Sequence, residues 1–227
     1  YLGGILQQTE AGSSLFIRYA NNAAASYNTP MEQPAFHIKL SIGEGQGVNS
    51  ELMVPAPSFD AWHHVAITWD GENVHFYIDG EVAHSGTATG TYSNSDNPLY
   101  LGVWEQINEG LKGHIDELAF WDEGLTQAQI QSIVQDGISS LPEPFAYYSF
   151  DGVSESVAVD LSGNGFHGTI DGPTWKSGAP LCGESLCGDS SFVFEESETG
   201  TDKIFDDIWG TSADNVYPVG SAGLVMH

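Results

Sequence analysis

The chain has 227 residues, and its 31 Asp and Glu against 5 Lys and Arg give a formal charge of −26. Apolar residues make up 41% and aromatics 11% of it, which supports a packed core and rules out a disordered acidic tail. The charge excludes a nucleic-acid partner and disfavours an anionic membrane, since both select basic surfaces, and no apolar run approaches the ~20 residues of a spanning helix.

The length fits one large or two small domains. Tyr1 opens the chain with no signal-peptide pattern, which is also what a mature or cut product shows. Carboxylates in this excess coordinate Ca²⁺, a hard cation that prefers oxygen, and equally keep a protein hydrated in salt; composition leaves both open.

Gly, Asn, Ser and Thr interrupt the chain about every 8–12 residues, the rhythm of an all-β sandwich or barrel. LFIRYA (15–20) and FHIKLSIG (36–43) read as strands. WHHVAITWDG (62–71) alternates, placing His63, Val65, Ile67 and Trp69 on one face. NVHFYIDGE (73–81) alternates again through Val74, Phe76 and Ile78. Asp70-Gly71 and Asp79-Gly80 are tight-turn pairs. PLYLGVW (98–104) and GHIDELAFWD (113–122) read as two more strands. LTQAQIQSIVQDG (125–137) is the one helix: Thr126 as N-cap and Gln129 at N3 form a capping box, Ile130, Ile133 and Val134 make the apolar stripe, and Gly137 stops it. ISSLPEP, with Pro142 and Pro144, reads as a linker. A second β segment runs from 145 to 181, SFVFEE is a further strand, and short strands separated by turns follow an acidic stretch at the end. The two cysteines, Cys182 and Cys187 in CGESLCG, are spaced for a small disulfide loop, which would imply an oxidising compartment; two reduced thiols are the alternative.

The run WHHVAITWDGENVHFYIDGEVAHSG, then PLYLGVW, then GHIDELAFWDEGLTQAQIQSI, resembles the laminin-G-like, concanavalin A-like jelly-roll family over roughly residues 1–140. YYSFDG followed by VDLSGNGFHGT (147–169) resembles that family's opening segment, which normally precedes the W-H-V-A strand. On this reading residues 1–140 are a module lacking its first strands, 145–195 are the opening of a module that completes the sheet within the chain or between chains, and 196–227 are an acidic linker with a short β extension. DIWGTSADNVYPVGSAGLVMH (207–227) weakly resembles a propeller-type repeat. The resemblance implies an all-β fold: an antiparallel two-sheet jelly-roll sandwich with one short helix and an irregular C-terminal extension.

The resemblance also implies one Ca²⁺ held by the D-x-S-G-N-G loop and the Asp of G-x-I-D-E, which here are Asp160, Asn164 and Asp116. The fold also hosts β-glucanases with carboxylates in an E-x-D-x-x-E pattern. That pattern is absent: Asp116 and Glu117 are adjacent and so face opposite sides of a regular strand, where Leu118 shares the face of Asp116. No nucleophile elbow occurs, and GEGQG (43–47) lacks the helix and lysine of a phosphate loop. His63, His64, His75, His84 and His114 read as half-exposed strand histidines, and Trp62 and Trp69 as core. The hydroxyl- and amide-rich loop 87–97 offers Tyr92, Asn94 and Asp96 as a ligand-binding edge. The function expected is a non-enzymatic, extracellular or cell-surface recognition or adhesion module for glycan or protein, with Ca²⁺ as its cofactor. The alternative is a structural subunit assembled by strand exchange with copies of itself.

Overall fold

The computed structural model describes the backbone of residues 2–9, 14–20, 35–41, 50–55, 62–90, 98–102, 111, 113–151, 156–170, 174–176, 191–194 and 222–226. In chain order the strands are β1 (Leu2–Thr9), β2 (Ser14–Ala20), β3 (Ala35–Ser41), β4 (Ser50–Pro55), β5 (His63–Trp69), β6 (Asn73–Ile78), β7 (Glu81–Thr87), β8 (Tyr100–Leu101) and β9 (Gly113–Phe120). The helix α1 (Gln127–Asp136) and a 3-10 turn (Ile138–Ser140) follow, then β10 (Ala146–Tyr148), β11 (Val157–Ala158), β12 (Gly168–Thr169), β13 (Thr174–Lys176), β14 (Ser191–Phe194) and β15 (Ala222–Met226). The expected all-β antiparallel class is observed. A five-stranded sheet has the order β4-β3-β2-β1-β8, and an eight-stranded sheet has the order β13-β14-β9-β15-β5-β6-β7 with β10 also on β9.

Leu15 and Ile17 of β2 share one core with Val65, Ile67, Val74, Phe76, Ile115, Leu118 and Phe120 of the larger sheet. The two sheets therefore stack face to face. β5 is buried on both faces, because α1 covers the other side: Ala66, Tyr77, Ala119, Trp121, Leu125, Ile130 and Ile133 form a second core. Ala66 and Ala119 are fully buried there. Their small side chains let the isoleucine stripe of α1 approach the sheet.

Local chemistry explains the connections. Asp79 (φ 52°) and Gly80 (φ 82°) are both left-handed, as a two-residue hairpin turn between β6 and β7 requires. A Cβ on Gly80 would sit 3.1 Å from Gln131 Cγ, so the approach of α1 also selects glycine. Asp70 Oδ1 accepts from the N–H groups of Glu72 (2.9 Å) and Asn73 (2.6 Å), closing the β5–β6 turn. The capping box of α1 is complete: Thr126 N–H donates to Gln129 Oε1 (2.8 Å) and Gln129 N–H to Thr126 Oγ1 (3.4 Å).

Several expectations change. Among the described residues β8 spans only Tyr100–Leu101 of the expected 98–104 strand. β1 and β4 are strands that the alternation did not single out. Regular alternation fails in β9: Glu117 takes a left-handed conformation (φ 53°), and the register with β15 shifts between Gly223 and Val225. Ile115 and Leu118, three residues apart, consequently share the inter-sheet core. The expectation that Leu118 shares the face of Asp116 is corrected by this bulge. Trp69 is core, whereas Trp62 is half-buried with its ring edge-on to His114 at 5.9 Å.

β9 is flanked entirely by strands from later in the chain. β14 pairs with Gly113–Ile115, β10 pairs with Leu118–Phe120 on the same side, and β15 lies on the other side between β9 and β5.

Candidate functional site

The densest polar constellation among the described residues surrounds Tyr147 on β10. β10 forms because Ala146, Tyr147 and Tyr148 pair with Phe120, Ala119 and Leu118, extending the sheet past the β9 bulge. Two groups meet Tyr147 from opposite ends. At its backbone, Tyr147 N–H donates to Asp160 Oδ1 (3.0 Å). At its ring, Tyr147 Oη donates to Glu117 Oε2 (2.5 Å).

Glu117 lies mostly out of water. Burial pushes its carboxyl up to about 7, offset in part by the Tyr147 hydrogen bond and reinforced by the Asp151 charge. Burial, with the charges of Glu117, Asp151 and Asp116, holds the Tyr147 hydroxyl far above the ordinary tyrosine range. The bulge thus brings both neighbours, Asp116 and Glu117, to bear on one tyrosine. Sequence reasoning missed Glu117 and Tyr147, because their contact needs a left-handed residue that no local pattern announces.

Asp160 anchors the loop between β11 and β12. Its Oδ1 accepts from Tyr147 N–H and Ser162 N–H (2.9 Å), and its Oδ2 accepts from Ser162 Oγ (2.9 Å) and Phe166 N–H (3.0 Å). Burial pushes the Asp160 carboxyl up, but the hydrogen bonds from Tyr147, Ser162 and Phe166 outweigh it and hold the group below the usual aspartate value. Asn164 Nδ2 donates to Phe145 O (2.8 Å), and Ser162 Oγ lies 3.0 Å from the same carbonyl. Tyr148 Oη donates to Phe166 O, and the rings of Phe145 and Phe166 meet at a tilt of 38° with 4.6 Å between centroids.

Calcium takes six to eight oxygen ligands, drawn from carboxylates, backbone and amide carbonyls and water. A carboxylate offers about four lone-pair sites, and all four of Asp160's face N–H or O–H donors. Asn164 turns its amide nitrogen to Phe145 O, beside β10. Among the described residues no group of three or more His, Cys, Asp or Glu is placed to hold a metal ion. As placed, Asp116, Asp160 and Asn164 do not fit a calcium cage.

The histidines divide sharply. His63 Nδ1 lies 2.9 Å from Asp79 Oδ2, and Asp79 Oδ1 accepts His64 N–H (3.0 Å). His75 Nδ1 meets Ser85 Oγ (2.8 Å). His64 departs from the half-exposed expectation: it is 2% exposed, and neither ring nitrogen has a hydrogen-bond partner. Burial lowers its pKa to about 4, against a small upward pull from Asp79. It is buried because β5 is covered on both faces. The expected ligand edge Tyr92, Asn94 and Asp96 and the expected pair Cys182 and Cys187 lie outside the described residues. No helix among the described residues is long and apolar enough to cross a membrane.

Comparison with known proteins bears on this geometry. A family model described as concanavalin A-like lectin/glucanases superfamily, of laminin G type, matches residues 6–131. The chain is 34% identical over 127 residues to the rat sushi, von Willebrand factor type A, EGF and pentraxin domain-containing protein 1, a match over 48% of this chain and 3% of that protein. It is 27% identical over 146 residues to mouse pappalysin-1, covering 58% of this chain and 9% of that protein. The chain thus spans less than a tenth of the length of either relative. No solved structure gives a significant match.

Proposed function

Because this chain belongs to the concanavalin A-like lectin/glucanases superfamily, we propose that it is a non-enzymatic, extracellular recognition module that binds a glycan or a protein. The family match over 6–131 carries this reading. Three observations support it. The E-x-D-x-x-E carboxylate pattern of the fold's glucanases does not occur in the sequence. Among the described residues the one carboxylate with a strongly raised pKa, Glu117, is tied to Tyr147. Strands β5, β6 and β9 are covered on one face by the second sheet and on the other by α1, which leaves those faces closed to a ligand. A name that strings together sushi, von Willebrand, EGF and pentraxin domains belongs to a relative far longer than this chain, which suits a module reading.

A second reading, a structural subunit joined by strand exchange, is favoured by β15. This strand sits between β5 and β9, deep inside the sheet, yet comes from residues 222–226. A neighbouring copy could donate the same strand at little change in pairing.

The test combines a glycan array with light scattering of the purified chain. A monomer with saturable, competable glycan binding supports the recognition module. A polymer that forms without ligand, and that dissociates when residues 222–226 are deleted, supports the structural subunit instead.

A further inference from the structure

We infer that the D-x-S-G-N-G loop of this chain is a metal-independent latch, in which the Asp160 carboxylate replaces a calcium ion as the centre that fastens residues 156–170 onto β10 and, through β10, onto β9. The family resemblance points to an ion at this loop, and the donor chemistry points away from one. All four lone-pair sites of Asp160 already face donors, three of them backbone N–H groups fixed by the chain path. A cation entering there would meet the positive ends of those dipoles.

The network is continuous. Phe145 N–H donates to Phe120 O at the end of β9 (2.6 Å). Phe145 O accepts from Asn164 Nδ2 and lies within reach of Ser162 Oγ. Ser162 and Asp160 are joined by two hydrogen bonds, and Asp160 returns to Tyr147, two residues after Phe145. Leu161 N–H to Tyr147 O (2.7 Å) closes the circuit. Asn164 N–H also reaches Ser162 Oγ (3.3 Å), and Gly163 (φ 86°) and Gly165 (φ 82°) allow the tight path between them. In this arrangement each motif residue has a bonding role without an ion: Asp as acceptor, Ser as bridge, the glycines as bends and Asn as donor to the strand. The negative charge of Asp160 is what makes it an acceptor at all four sites.

The experiment is thermal unfolding of the whole chain after EDTA treatment, then with CaCl₂ or MgCl₂ at equal concentration, for the unmodified protein and for Asp160→Asn. Asparagine has the same shape but turns an NH₂ toward two of the donors. Asp160→Asn is expected to lower Tm by roughly 5–10 °C in EDTA. Calcium and magnesium are expected to shift the unmodified protein equally, by screening its charge. A calcium-specific excess that Asp160→Asn retains also supports the latch, because that ion then acts elsewhere. The inference is overturned if calcium raises Tm several degrees more than magnesium and Asp160→Asn abolishes the excess, or if Asp160→Asn melts with the unmodified protein in EDTA. Should Asp160→Asn fail to fold, Asn164→Ala and Ser162→Ala replace it: a Tm loss of a few degrees in EDTA supports the latch, and loss of a calcium-specific excess overturns it.

Discussion

Two buried groups with opposite pKa shifts should hide each other's effect on stability, and single substitutions should expose both. His64 titrates near 6.5 when unfolded and near 4 when folded. The unfolded chain therefore binds more protons between those values, and stability is full above 6.5 and lost as pH falls toward 4. Glu117 titrates near 4.5 unfolded and near 7 folded. Here the folded chain binds more protons, and stability falls as pH rises from 4.5 to 7. Each shift is worth about 3 kcal/mol in full, and each contributes about 2 kcal/mol between pH 5 and 7, with opposite sign. The two cancel in the unmodified protein. In Glu117→Gln the His64 slope stands alone, so stability rises by about 2 kcal/mol from pH 5 to 7 relative to the parent, or roughly 4–8 °C in Tm. In His64→Leu the Glu117 slope stands alone, and stability falls by a similar amount. Calorimetry at both pH values and fixed salt measures this, and every other titrating group is common to the three proteins. Parallel pH profiles for all three, or a His64 imidazole that titrates by NMR near 6.5, would refute the reasoning.

Trp121 is 2% exposed and donates Nε1–H to Pro142 O (2.9 Å), so Trp121→Ala should cost about 3–5 kcal/mol in urea unfolding, mostly by unseating α1 from the sheet. Gly80→Ala forces a left-handed alanine against Gln131 and should destabilise by about 1–2 kcal/mol, read as a lower urea midpoint with unchanged slope. Thr126→Ala removes the N-cap of α1 and should cost about 1 kcal/mol, whereas Thr126→Ser should retain most of the stability in the same assay.

Much of the fold was legible in the residues because its signals are local. The alternation of Val74, Phe76 and Ile78 depends only on the two-residue period of a strand, and those side chains do enter the inter-sheet core. The Thr126–Gln129 capping box and the Asp79-Gly80 turn each lie within four residues of chain, and both form as expected. β1 escaped because Leu2–Thr9 carries two glycines and two glutamines and shows no clean period; pairing with β2 makes it a strand.

The candidate site was legible only in part. The motif singled out Asp160 and Asn164, and both are central to the loop. Their partners were invisible, because Tyr147 and Phe145 belong to a strand that meets the loop only after β10 docks on β9. The burial of His64 likewise follows from layers contributed by distant segments, which no window of sequence around β5 contains. The bulge at Glu117 is a left-handed backbone state that a glutamate does not favour in isolation, so the surrounding pairing must impose it. Neighbours along the chain were enough to set the strand class, the helix with its cap, and the hairpin turns. Tertiary structure alone decided which carboxylates are saturated, which imidazole is dry and which strands flank β9, because hydrogen-bond saturation and desolvation are set by groups that folding brings together from far apart.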